Sequence, residues 1–194
     1  MAETLAARFR DAFFTTVQTG VLAPSLKDAA TTANLTAWTR ALTEAAVRTC
    51  RVLGMKASAK GHKLELLPIR RSEYLALDAV AFAEGETRWR FPAMVMELEN
   101  SVRADQIAYS LWKVLSVRAG LRIVFCYRKD ANEIPALLRH LCEEVVEAMG
   151  LAGRVNLDGM TVLVVGSRSQ AETFPFGYFG WWLLNTNIGK FERL

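Results

Sequence analysis

The sequence predicts an α/β fold, a mixed central β-sheet flanked by helices. Three observations carry that prediction. Short apolar runs of strand length, separated by charged or Gly/Pro-bearing segments, occupy the middle of the chain. Helical periodicity precedes and follows them. A helix-length segment also separates the third run from the fourth, which lets those two strands lie parallel through a right-handed crossover with helices on the sheet faces.

In chain order, Leu5–Thr19 reads as a helix and Leu35–Leu53 as a stronger one, with Asn34 as its N-cap and Gly54 as its stop. Between them, Ala23–Thr32 holds Pro24 and small residues and reads as a separator, leaving residues 1–30 as an N-terminal helical extension. The apolar runs Leu64–Ile69, Tyr74–Phe82 and Ala93–Glu99 are the first three expected strands. Ala104–Arg118 returns to helical spacing, with Ile107, Leu111, Val114 and Leu115 on one side. Strand Leu121–Tyr127, helix Ile134–Met149 closed by Gly150, and strand Met160–Gly166 follow. The aromatic tail Phe174–Leu184 is suited to stacking on bases, to a homodimer interface, or to plain core and edge-strand packing.

Composition bounds the rest. With 194 residues, 52% of them hydrophobic, the chain is long enough for one well-filled domain and too short for two ordinary ones. Its apolar stretches are broken by charge before the roughly 18 residues a membrane span needs. The N-terminal stretch carries Glu3, Arg8, Arg10 and Asp11. Neither a signal peptide nor a membrane partner is expected, and the expected location is cytoplasmic. Cys50, Cys126 and Cys142 have no disulfide or CxxC spacing and read as reduced core residues. His62 and His140 stand alone in the sequence, which disfavours an imidazole zinc site or a Ser-His-Asp triad and leaves carboxylates, lysines or a hard metal as the available chemistry. The net charge is +4, but Arg48, Arg51, Lys56, Lys60, Lys63, Arg70 and Arg71 crowd one segment against Glu65 alone. That segment reads either as a solvated helix end and loop or as a phosphate-facing surface.

The acids within the apolar runs are the most informative residues. Asp78 is the only charge in Tyr74–Phe82, and an isolated buried carboxylate is costly. It must hold a metal, meet a basic partner, sit where the sheet opens to solvent, or be a satisfied aspartate at a strand irregularity. In Ala93–Asn100, strand alternation puts Glu97 and Glu99 on one face, about 7 Å apart. Two like charges there repel, and a divalent cation would relieve them; a polar strand end leaving the core is the plainer reading. Mg²⁺ needs only one or two carboxylates besides water and phosphate oxygens.

An Asp followed 19 residues later by Glu-x-Glu at the end of the next strand, within the run MVMELEN, resembles the PD-(D/E)xK nuclease superfamily. The resemblance covers Leu35–Tyr127 in that superfamily's helix, three strands, helix, strand order, and implies a restriction endonuclease-like αβββαβ core. It implies that Asp78 and Glu97 bind Mg²⁺ or Mn²⁺ with help from the Leu98 carbonyl, and that Glu44 on the preceding helix is an auxiliary acid or an ordinary solvent-facing glutamate. The motif's lysine position holds Glu99, so the catalytic lysine does not carry over directly. Some members use Glu there, and others supply the lysine from the following helix. Lys113 is the candidate for the second course, sharing a stripe with Gln106 and Tyr109 at about 100° per residue, though an ordinary surface lysine would read the same.

The resemblance implies metal-assisted hydrolysis of nucleic-acid phosphodiesters, with DNA ahead of RNA as partner. Glu99 would accept a proton from the attacking water, and Lys113 would orient that water or neutralise developing charge. The alternative is a catalytically silent nuclease-fold module that binds nucleic acid or a protein partner, which the absent in-strand lysine favours and the retained carboxylates oppose.

Overall fold

The computed structural model describes residues 3–20, 22–32, 34–69, 73–85 and 88–194. Seven strands form one mixed sheet in sequential order: β1 (Met55–Ala59), β2 (Ala79–Ala83), β3 (Met94–Leu98), β4 (Leu121–Arg128), β5 (Met160–Ser167), β6 (Phe179–Asn185) and β7 (Lys190–Arg193). β3, β4 and β5 run parallel, and the remaining pairings are antiparallel.

Helix α4 (Ala104–Leu115) joins β3 to β4, and the segment containing α5 (Ile134–Leu141) and α6 (Gly150–Val155) joins β4 to β5. Both crossovers advance in the same direction along the sheet, so right-handed connections put α4 and α5 on one face. There Ile107, Leu111, Val114 and Leu137 pack against Val80, Val95, Val124 and Leu163. The opposite face receives α1 (Leu5–Gln18), α2 (Leu22–Thr32) and α3 (Leu35–Val52), which pack on Ala79, Met94, Met96, Ile123, Phe125 and Val164. Strand alternation along β3 therefore sends Met94, Met96 and Leu98 to the α1–α3 face and Val95 and Glu97 to the α4 face.

The expected helix 35–53 forms with Asn34 as its cap, the Asn34 side chain accepting the Ala37 N–H at 3.1 Å, and Gly54 leaves it at φ +73°. Trp38 ties this helix to the sheet by donating its indole N–H to the Tyr127 hydroxyl at 2.6 Å.

Several expected boundaries move. Ala23–Thr32 is not a separator but most of α2, because Pro24 falls in the first helical turn, where its missing N–H would be unpaired anyway. The first strand is Met55–Ala59, not Leu64–Ile69. Lys, Ala and Ser give Met55–Ala59 little intrinsic strand preference, and pairing with β2 supplies what propensity lacks. Leu64–Ile69 contains Pro68 and is held instead by the Tyr74 hydroxyl, which donates to the carbonyls of Leu64 and Ile69. The second strand begins at Ala79, since Leu75 and Ala76 adopt φ of 59° and 54° in a tight 3₁₀ turn. The expected helix 134–149 loosens into π and 3₁₀ turns after Leu141, and Gly150 redirects the chain into α6.

The aromatic tail is largely core: Tyr178, Phe179, Trp181 and Trp182 are buried. Cys50 and Cys126 are buried free thiols, and burial pushes the Cys126 thiol up to about 12. Cys142 is free but only half-buried. No helix among the described residues is long and apolar enough to cross a membrane.

Candidate functional site at the carboxyl end of β3

The β2–β3 ladder ends at the Ala79–Met96 pair. Beyond it the two chains part, and the buried backbone must find other partners. The Leu98 N–H donates to Asp78 Oδ2 at 2.7 Å, so this carboxylate takes the place of a strand carbonyl. In return, the Asp78 N–H points at Glu97 Oε1 at 3.4 Å. Asp78 is thus not inside β2 but directly before it, half-buried, beside the carboxyl end of a parallel strand, where open α/β sheets commonly place their ligands.

Glu97 is buried on the α4 face. Burial raises its pKa above the ordinary carboxylate value, and the Asp78 charge adds to that, while Lys113 opposes both. Lys113 Nζ lies 2.9 Å from Glu97 Oε1 and donates to the Ala76 carbonyl at 2.7 Å. Its place on α4 is off the apolar stripe, but the four-carbon stem spans the difference and carries the ammonium back to the sheet end. The left-handed turn at Leu75–Ala76, a conformation costing on the order of 1–3 kcal/mol per non-glycine residue, sits immediately before Asp78 and turns the Ala76 carbonyl to that ammonium.

Glu99 does not join this group. Its carboxylate accepts the Ser101 N–H at 2.6 Å and the Ser110 hydroxyl at 3.3 Å, while its own N–H continues the β3–β4 ladder to the Phe125 carbonyl. The expected cluster of three carboxylates is therefore a pair, and among the described residues no three His, Cys, Asp or Glu side chains gather as a metal-holding group. Glu44 is also engaged elsewhere, by Arg48 and by His62 Nε2 at 3.0 Å. Gln106 and Tyr109 are exposed on α4, Tyr109 stacked on Trp112 with ring centroids 6.0 Å apart.

Beside Asp78 runs a groove of about 510 Å³ between α3 and the turn after β1, lined by Thr39, Arg40, Thr43, Lys60 and Asn100 among others. Asn100 donates to the Thr39 hydroxyl at 2.7 Å, while its Oδ1 is buried without a partner. Of the basic segment, Lys60 reaches this groove and Arg48 is spent on Glu44; Arg70 and Arg71 lie outside the described residues. Sequence reasoning missed Arg40, Asn100 and Ser110. Ser110 alone carried a signal, a polar residue on the buried stripe of α4.

Two adjacent carboxylates with hard oxygen donors, one lysine and a basic groove can bind a divalent cation and an anionic substrate together. No family model, curated protein or solved structure matches this chain.

Proposed function

We propose that this chain is a metal-dependent nuclease of the PD-(D/E)xK kind, hydrolysing nucleic-acid phosphodiester bonds with Asp78, Glu97 and Lys113. One observation carries the reading: Lys113 on α4 reaches the Glu97 carboxylate at 2.9 Å, beside Asp78, so a lysine from the following helix accompanies the two acids although the in-strand position is Glu99. The donor set fits Mg²⁺ or Mn²⁺. Asp78 and Glu97 are hard oxygen donors that repel one another, and the Leu98 carbonyl is a third oxygen at the same strand end. A bound ion of this type supplies a water of lowered pKa and stabilises charge on the phosphate.

The protein's own groups divide the remaining work. The Leu98 N–H fixes the orientation of the Asp78 carboxylate. Lys113, anchored on the Ala76 carbonyl, holds Glu97 in place and offers positive charge where the phosphate gains negative charge. Arg40 and Lys60 line the groove beside Asp78, where a phosphate chain would release counterions. Glu99, tied to Ser101 and Ser110, supports the loop into α4 instead of accepting the proton.

A second reading, the catalytically silent module binding nucleic acid or a protein, draws on the same contacts. The Lys113–Glu97 pair and the Leu98–Asp78 hydrogen bond already offset the cost of two buried-edge acids without a metal. Incubation with single- and double-stranded DNA and RNA in Mg²⁺, Mn²⁺ or EDTA separates the two. Metal-dependent cleavage that disappears in Asp78→Ala is the expected result; binding without cleavage under every metal condition would install the silent module instead.

A further inference from the structure

Most rings of the C-terminal tail are buried, Phe176 excepted, and exposed aromatics lie elsewhere in the fold. Arg88-Trp89-Arg90-Phe91 alternates cation and aromatic ring just before β3, and its rings are among the most exposed apolar groups of the chain, Trp89 at 64% and Phe91 at 84%. Trp89, Arg90 and Phe91 line a groove of about 850 Å³ together with Val80 and Phe82 of β2, Glu73, and the residues that follow α4. Its lining includes Leu75 and Ala76, whose strained turn presents the Ala76 carbonyl to Lys113. Ser116 and Arg118 line it as well. The groove therefore shares Ala76 with the candidate catalytic lysine, whose ammonium donates to the Ala76 carbonyl.

We infer that this groove binds unpaired nucleotides of a single-stranded nucleic acid, with bases stacked on Trp89 and Phe91 and phosphates met by Arg118 and Arg90, the cations that line it. Alternating basic and aromatic side chains choose this occupant over an apolar helix or a lipid. Every base offers a π-face to a ring, and every linkage carries a negative charge for a neighbouring cation, which an apolar partner would not supply. A base in a duplex has both faces covered by its neighbours, so the rings discriminate against paired strands. Arg118 is well placed for this role, since its side chain is 85% exposed and its ion pair with the equally open Asp158 is stretched to 4.0 Å. The inference rests on the nuclease reading and deepens it: the strand delivered to Asp78, Glu97 and Lys113 is a single strand or a frayed end.

The test measures binding apart from cleavage, in EDTA. A fluorescein-labelled 12-mer of thymidylate and a 12-base-pair duplex are titrated with the wild type, with Trp89→Ala/Phe91→Ala, and with Trp89→Phe. We expect the double variant to lose at least about tenfold in affinity for the single strand, since both stacking platforms are removed, and Trp89→Phe to keep most of it. Duplex affinity should change less than about twofold. The substituted rings are exposed, so an unchanged melting temperature serves as the folding control. Equal single-strand affinity in the wild type and the double variant overturns the groove assignment, even if metal-dependent cleavage is intact and the nuclease reading stands. A wild type that cleaves only duplex and does not bind the 12-mer overturns it likewise. Ring-dependent binding of the 12-mer without cleavage under any metal keeps the groove and removes the nuclease. A wild type that binds neither oligonucleotide overturns the groove.

Discussion

Lys113 Nζ and Glu97 Oε1 stand 2.9 Å apart although one residue belongs to α4 and the other to the end of β3. Glu99, two residues further along the same strand face, is bound by Ser101 and Ser110 and makes no contact with that lysine. The pair sets the order of mutational effects. Lys113→Ala should lower kcat for metal-dependent cleavage by about 10²–10³-fold, the range seen when one group stabilising transition-state charge is removed. Glu99→Gln should stay within about tenfold of wild type, because its amide oxygen can still accept the Ser101 N–H and its NH2 can donate to the Ser110 hydroxyl. Single-turnover cleavage of one substrate by both variants is the measurement, and the reverse order would make Glu99 the proton acceptor and Lys113 structural.

Divalent metal should raise the melting temperature. An ion bound only by the folded chain adds about 2.7 kcal/mol at a hundredfold excess over its Kd. Asp78→Asn keeps an oxygen for the Leu98 N–H but removes one of two charges, so it should lose most of the gain without unfolding the β2–β3 junction. Thermal melts across a Mn²⁺ titration decide it; an undiminished shift in Asp78→Asn puts the ion elsewhere.

The pH dependence follows from Glu97. Burial, with Asp78 adding, raises its folded-state pKa, so between the ordinary glutamate value and that raised value the folded chain holds a proton the unfolded chain has released. More protons on the native state means that stability falls as pH rises through this window, the reverse of the usual salt-bridged acid. In EDTA, Glu97→Gln should flatten the fall. Urea unfolding at stepped pH measures it, and equal slopes in the two proteins would assign the dependence to other groups.

Some of this could be read in the residues and some could not. The long helix from Leu35, the β3 run and the parallel β3–α4–β4 unit were legible because strong periodicity and a cap or stop marked them. β1 was not, since Met-Lys-Ala-Ser-Ala acquires its conformation only from pairing with β2. Asp78 and Glu97 stood out as charges in apolar runs, yet whether Glu99 would join them depended on Ser110, which lies on α4. Lys113 was visible as a candidate, but the angular argument placed it away from the sheet because it counted Cα directions and not the length of the stem. The tail takes the core and edge-strand packing that was one of its readings, but the sequence could not choose it, because a cluster of rings reveals nothing about which face solvent sees until the sheet order is known.

The helices described within residues 1–30, read from sequence as an N-terminal helical extension, are built into the core, and Phe13 shows how firmly. Its side chain is fully buried, with its ring centroid 5.4 Å from Phe125, 5.3 Å from Phe179 and 5.4 Å from Trp181, so α1 closes the sheet face opposite α4 over β4 and β6. Phe13→Ala removes a ring that nothing nearby can replace, and should cost about 3–5 kcal/mol from lost transfer energy and the residual cavity. For a chain of this size that is a fall of roughly 6–20 °C in Tm. Phe176→Ala is the control. Its ring also stacks on α1, on Phe14 at 4.9 Å, but it is 62% exposed, so its removal should shift the melt by only about 2 °C or less. Phe125 pairs in register with Leu98, whose N–H orients Asp78, so loosening at Phe13 should also weaken metal-dependent stabilisation at temperatures near the melt. Matched small shifts for the two variants would mean that α1 is a dispensable appendage and that the sheet face it covers is held by α2 and α3 alone.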